Sequence, residues 1–241
     1  MTSLSIFIPA YNAERLLGSV VERIPAAAWE LIRRVHVIND GSRDGTQGVI
    51  DGLCSANPKI RFERFPENRG YGSAVKAGVR RAVEDGSDYA FCLHADGQYP
   101  PEAIPPFTAL MVRRGLDLLQ GSRMAPGTAL EGGMPLYKFI AGKILTAMQN
   151  RVYGLSLTDY HSGFLCYSRR ALLAIPFERL SHSFDIDIEA IVAAKDLGLA
   201  IGEEGIPTRY AGEHSRLNPV LYGLRVLRIM GRHLAGKDRH A

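Results

Sequence analysis

The sequence predicts an α/β fold with a mainly parallel central sheet flanked by helices on both faces. Short apolar runs of strand character alternate with stretches of helical spacing from Leu4 onward, the pattern of a parallel sheet wrapped by its crossover helices. The polar clusters of the chain follow the strand runs, on the edge where right-handed crossovers gather strand C-termini and open α/β sheets bind ligands. The 241 residues are 46% hydrophobic and 22% charged, enough apolar material for a sizeable core and too little charge for a disordered chain.

Leu4 to Pro9 is the first strand, closed by proline. Leu16, Leu17, Val20, Val21 and Ile24 give Ala13 to Ile24 the spacing of a helix. The unit recurs as Val35 to Asn39 with Asp44 to Leu53, Ile60 to Phe65 with Ser73 to Val83, and Tyr89 to His94 with Ile104 to Val112. After a fifth strand, Leu116 to Gln120, Met124 to Gly133 is a loop rich in Gly and Pro, and Leu136 to Tyr153 is a long helix. Phe164 to Tyr167 and Leu199 to Ile206 read as strands, with Arg169 to Ile175 and Asp185 to Leu197 as helices between them. No repeat or linker divides the chain, so residues 1–216 are expected to form one domain and 217–241 a basic amphipathic tail.

No run reaches the roughly 18 consecutive apolar residues of a membrane span, and Met1 to Pro9 lacks the basic start of a signal peptide, so a cytoplasmic protein is expected. Cys54, Cys92 and Cys166 stand in separate segments without Cys-x-x-Cys spacing, which argues for reduced core thiols and against disulfides or a thiolate zinc site. The net charge is +4, yet Arg209 to Ala241 holds seven Lys or Arg against two Asp or Glu. A basic end on a near-neutral body is not the composition of a nucleic-acid binder; it suits an anionic surface or substrate group.

Four strand-exit turns carry the chemistry. The first, Pro9-Ala10-Tyr11-Asn12-Ala13-Glu14, supplies a capping Asn12. The second, Asn39-Asp40-Gly41-Ser42-Arg43-Asp44-Gly45-Thr46, is denser in short oxygen side chains than capping requires, and Asp40 is placed to accept hydrogen bonds from a base or ribose. The third, Asn68-Arg69-Gly70-Tyr71-Gly72-Ser73-Ala74, lacks the third small residue of a dinucleotide fingerprint and follows the wrong strand. Its Gly70 and Gly72 remain suited to close approach of backbone and ligand. In the fourth, Leu93-His94-Ala95-Asp96-Gly97-Gln98-Tyr99-Pro100-Pro101-Glu102, an extended chain would point His94, Asp96 and Gln98 to one side, where they could share a divalent cation. An Asp-Gly turn with a capping role fits the same residues.

Together these turns, with Gly121-Ser122-Arg123 and Asp159-Tyr160-His161-Ser162-Gly163-Phe164, resemble the family-two inverting glycosyltransferases of the nucleotide-sugar-binding GT-A fold. Within that family the likeness is to the polyprenyl-phosphate (dolichol-phosphate) sugar synthases, over about Leu4 to Leu217. The resemblance implies that Pro9, Ala10, Tyr11, Asn12, Glu14, Asp40, Gly41, Ser42, Gly70, Gly72 and Asp96 hold the nucleotide sugar. It implies that Asp96 and Gln98, with His94 in place of the family's first Asp, hold Mn²⁺ or Mg²⁺; a neutral imidazole suits Mg²⁺ poorly. Arg123, Lys138, Lys143 and Arg209 fall in or beside the acceptor stretches, with Ser162 in the family's Thr-Ser-Gly-Phe pattern and His161 in place of Thr.

The expected reaction is transfer of a hexose-type sugar from a nucleotide-diphosphate sugar, with inversion. A polyprenyl phosphate acceptor is already largely ionised; a saccharide or metabolite hydroxyl needs a base, for which Asp159 is the candidate. A nucleotide-sugar-binding protein without turnover is a third reading, motivated by His94 and disfavoured by Asp96, Gln98 and Asp159 together. In the tail, Val220, Leu224, Leu227 and Leu234 with Arg225, Arg228 and Arg232 have helical spacing. Such a helix either contacts the inner face of the membrane peripherally or packs onto the domain.

Overall fold

The structure is a computed structural model that describes residues 2–127, 129–207 and 219–236. Arg209 and the expected boundary at 216/217 lie outside the described residues. Strands β1 (Leu4–Ala10), β2 (Ile32–Asn39), β3 (Ile60–Arg64), β4 (Tyr89–Cys92), β5 (Leu118–Ser122), β6 (Leu165–Ser168) and β7 (Ile201–Gly205) form one seven-stranded sheet, ordered β3-β2-β1-β4-β6-β5-β7. β1 to β4 are mutually parallel, as are β5 and β7, while β6 is antiparallel to both its neighbours. β1 pairs with β2 on one side and β4 on the other, so the order reverses direction there and opens a crevice beyond their C-terminal ends.

Alternation along the strands divides the core. Ile6, Ile8, Phe91 and Cys166 face α1 (Leu17–Glu22), α2 (Ala26–Leu31), α3 (Thr46–Ala56) and α5 (Ile104–Arg114). Phe7, Cys92, Leu165 and Tyr167 face α4 (Tyr71–Asp85), α6 (Leu136–Tyr153), α7 (Arg169–Ala174), α8 (Ile186–Asp196) and α9 (Pro219–Leu234). At Gly78 the absent side chain lets α4 lie on Phe7: a Cβ there would stand 2.5 Å from the ring.

Three local expectations change. The helix expected over Ala13 to Ile24 is shorter: Ala13 spends its carbonyl on a turn to Leu16, and Pro25, extended at φ −62° and ψ 148°, separates α1 from the unforeseen α2. β4 stops at Cys92, because Asp96 Oδ1 accepts the Gln98 N–H at 3.1 Å and Gly97 takes φ +73°, folding the chain into a turn. The strand-like alternation of His94, Asp96 and Gln98 is therefore not realised. The third change is the direction of β6, which enters the sheet with Leu165 opposite Gln120 near the end of β5.

In α9 the expected arc of Leu224, Leu227 and Leu234 does not pack onto the domain; neighbouring residues do. Tyr222, Val226, Ile229 and Met230 turn to the domain, whereas Leu221, Leu224, Leu227 and Leu234 are exposed. Arg225, Arg228 and Arg232 run between the two.

Candidate functional site

The first two turns are locked to each other. Asn12, at φ +51°, accepts the Arg43 N–H through Oδ1 at 2.9 Å and donates its own N–H to Ser42 Oγ at 3.0 Å. Ala13 N–H reaches Thr46 Oγ1 at 2.8 Å, and Glu14 Oε2 accepts Gly45 N–H at 2.7 Å. Side chains expected to hold a nucleotide thus join the two turns, with Pro9, Ala10 and Tyr11 at the end of β1 beside them.

Asp40 is buried and holds the third turn. Its Oδ1 accepts Arg69 N–H at 2.6 Å, and its Oδ2 accepts Gly70 N–H at 3.0 Å and Asn68 Nδ2 at 2.9 Å. Burial raises its pKa, and the two backbone N–H bonds only partly oppose this. Gly41, at φ +65°, has no room for a side chain: a Cβ would stand 2.3 Å from the Glu67 carbonyl carbon. The close approach that Gly70 and Gly72 permit is spent within the protein. A Cβ on Gly70 would meet His182 O at 2.5 Å, and one on Gly72 would meet Ser181 O at 2.4 Å, while Gly72 donates its N–H to His182 O at 3.0 Å.

At the fourth turn Asp96 is half-buried and its Oδ2 carries no hydrogen bond among the described residues. His94 turns inward. Its Nε2 lies 2.9 Å from the Tyr71 hydroxyl, and its ring meets Tyr99 edge-on at 4.8 Å. The Tyr71 hydroxyl also reaches Asp187 Oδ2 at 3.1 Å. With the Tyr71 O–H donated to Asp187, the Tyr71 oxygen is left to accept Nε2–H from His94, and a protonated nitrogen does not ligate metal. Burial lowers the His94 pKa, against the Asp96 carboxylate that raises it. Burial pushes Asp187 up to about 7, although Tyr71 donates to it, and Tyr99, whose hydroxyl accepts Gly163 N–H at 2.9 Å, to about 12.

No group of three His, Cys, Asp or Glu side chains among the described residues is arranged to hold a metal. A Mg²⁺ or Mn²⁺ bound through one carboxylate and the oxygens of a diphosphate needs none. Asp96, with Gln98 two residues on, fits such a site; His94 does not fit through Nε2.

On the acceptor side, Arg123 and Asp159 form a buried pair, Nε to Oδ2 at 3.0 Å. Arg123 Nη2 also donates to His161 O at 2.7 Å, and Asp159 Oδ1 accepts His161 N–H at 2.7 Å. Burial would raise the Asp159 pKa, but the Arg123 guanidinium, His161 and these hydrogen bonds together hold it below the usual carboxylate range. Ser162 is fully buried, its hydroxyl turned to Phe164 N–H at 3.5 Å and not outward. His161 Nδ1 lies 3.1 Å from the Tyr222 hydroxyl, so the residue that replaces the family's Thr ties this loop to α9. Lys138 is half-exposed in the first turn of α6, and Lys143 sits 4.6 Å over the Phe139 ring.

Tyr71 and Asp187 were not foreseen as a pair. Asp187 shares its helix face with the buried Ala190, Ile191 and Ala194; a carboxylate on an apolar face at spacings of three, four and seven was the available signal.

The description Glycosyl transferase family 2 belongs to a family model that matches residues 5–175. The chain is 27% identical over 235 residues to a UDP-N-acetylglucosamine–dolichyl-phosphate N-acetylglucosaminyltransferase of Methanococcus voltae, covering 92% of each. It is 29% identical over 235 residues to an undecaprenyl-phosphate mannosyltransferase of Micrococcus luteus, covering 95% of this chain and 93% of that protein. Its fold is like that of glucosyl-3-phosphoglycerate synthase from Mycobacterium tuberculosis, crystallised with Mn²⁺, UDP and glucosyl-3-phosphoglycerate. There the TM-score is 0.69 at 20% identity, over 98% of this chain and 80% of that one.

Proposed function

The chain belongs to glycosyl transferase family 2, and from that premise we propose that it transfers a sugar from a nucleoside-diphosphate sugar to a polyprenyl phosphate, with inversion. The relatives named for dolichyl- and undecaprenyl-phosphate transfer, matched over nearly their whole length, support the acceptor class. The observation that carries the choice between phosphate and hydroxyl is the Arg123–Asp159 pair. A hydroxyl acceptor requires a base, and Asp159 is held ionised by a bound guanidinium, with a depressed pKa that makes it a poor one. A phosphomonoester, with its second pKa of about 6, attacks without help.

In this reading the locked first and second turns and Asp40 form the nucleotide wall, with the donor phosphates running toward Asp96. The acceptor oxygen forms its bond to the anomeric carbon from the face opposite the diphosphate, which leaves with the bonding pair. Asp96 and Gln98 would hold a divalent cation, which when bound supplies charge neutralisation of the leaving diphosphate. Arg123 and Lys138 form the cationic acceptor side. Arg123 serves it by fixing Asp159 and the His161 carbonyl, and His94 serves the site as an inward-facing wall residue.

No helix among the described residues is long and apolar enough to cross a membrane. The exposed leucines of α9 and the basic tail support peripheral contact with the inner face of the membrane. The test is incubation of the purified protein with a labelled nucleotide sugar, a short polyprenyl phosphate and Mn²⁺. Label in the organic phase is expected; label moving only to water-soluble hydroxyl acceptors overturns the reading.

A further inference from the structure

The loops ahead of α4 and α8 enclose with α9 an open cleft of about 630 Å³. Of the residues expected to bind the nucleotide sugar, Gly70 alone also lines it. Among the described residues four arginines line this cleft, Arg69, Arg225, Arg228 and Arg232, against two carboxylates, Asp185 and Glu189. Both carboxylates are engaged: Asp185 Oδ1 lies 3.5 Å from Arg225 Nη1, and Glu189 accepts the Ser181 N–H. Arg225 also donates to Ser183 Oγ. Arg69 comes from the loop ahead of α4, its guanidinium carbon 4.9 Å over the Phe65 ring, a cation–π contact that restrains the side chain. Arg228 is exposed and forms no ion pair among the described residues.

The spacing of Arg225, Arg228 and Arg232 is that of one helix face, so folding of α9 against the domain delivers all three to the cleft. Among the described lining residues four positive and two negative side chains leave a surplus of two positive charges, matched to the charge of about −1.5 to −2 on a phosphomonoester at neutral pH. Forked guanidinium donors suit its oxygens.

We propose that this cleft binds a phosphate group at a site separate from the donor site. The group belongs either to a lipid headgroup, beside the exposed Leu221 and Leu224 of the same helix, or to a soluble phosphomonoester. The inference does not depend on the transfer reaction and is tested apart from it.

The full chain is titrated with inorganic phosphate by calorimetry and sedimented with phosphatidylcholine vesicles with and without phosphatidic acid. Arg228→Gln and Arg69→Gln are each expected to weaken binding at least fivefold. In Arg228→Gln the affinity for a nucleoside diphosphate should change less than twofold. Loss of vesicle binding that depends on phosphatidic acid supports the site with a headgroup as its source; loss of inorganic phosphate binding alone supports it with a soluble source. Wild type that binds neither probe, or both variants binding as wild type does, overturns the proposal. Parallel loss of nucleoside-diphosphate affinity in Arg228→Gln also overturns it, by placing these arginines in the donor site.

Discussion

The guanidinium of Arg123 closes on the carboxylate of Asp159, Nε to Oδ2 at 3.0 Å, where both side chains are largely shielded from water. Each charge is tolerable there because the other is present, and breaking such a pair by removing one partner costs about 3–5 kcal/mol.

Arg123→Gln is accordingly expected to destabilise the fold by about that amount and Asp159→Asn by less, since an amide is easier to bury. The folded pKa of Asp159 lies below its unfolded value of about 3.9, so the pair's stabilisation is full above pH 4 and is lost as the pH falls through the folded pKa. Urea unfolding at pH 7 and pH 3 should show the gap between wild type and Asp159→Asn narrowing in acid. An equal gap at both would remove the charge from the explanation.

Asp187 behaves in the opposite sense. Its folded pKa of about 7 exceeds the unfolded value of about 3.9, so the folded state keeps a proton that the unfolded chain releases, and stability falls as pH rises across that window. Asp187→Asn should match wild type near pH 4 and exceed it at pH 8, by up to about 4 kcal/mol if the whole shift is realised. Melting curves across this range decide it; a variant less stable than wild type at pH 8 contradicts the assignment.

Asp96→Asn should lower transfer by about a hundredfold or more, the scale of losing one preorganised electrostatic group, with melting temperature unchanged because the side chain is half-exposed. Calorimetry offers a separate check: Mn²⁺ should strengthen nucleoside-diphosphate binding to wild type and not to the variant. Equal strengthening in both would move the cation away from Asp96.

Leu224 and Leu227 are 59% and 43% exposed, whereas Val226 between them is fully buried. Replacing the two leucines by serine should leave stability nearly unchanged and reduce sedimentation with anionic vesicles. Val226→Ser should cost about 2–3 kcal/mol. Vesicle binding that survives the double replacement would assign the exposed arc no role at the membrane.

The first four strand and helix units were readable because apolar periodicity is a local signal; the finer marks misled, since β1 runs through Pro9 to Ala10 and Asn12 caps no helix but binds the Arg43 N–H. The end of β4 was misplaced because the Asp96–Gly97–Gln98 turn competes with an alternation that looks strand-like over His94, Asp96 and Gln98. Strand direction was unreadable for β6, since a four-residue apolar run carries no mark of the neighbour it will pair with. The glycines of the third turn illustrate a further limit. Gly70 and Gly72 announce close backbone approach, but only the tertiary fold shows that Ser181 and His182 are what approaches. His94 and Asp187 meet through Tyr71 across three segments, and no spacing in the chain links them.

The placement of β6 between β4 and β5 orders events on the ribosome. Residues 4–92 supply β1 to β4, already adjacent in the sheet, and β5 follows at Leu118, yet β5 has no place beside β4 until Leu165 to Ser168 are made. A nascent chain therefore carries an unpaired β4 edge through the synthesis of α5, β5 and the whole of α6, and an open strand edge is a template for association with other chains. Arrested or truncated products ending before residue 165 should be aggregation-prone, and a partner that shields strand edges during translation would matter more to this protein than to a sheet assembled strictly in sequence order.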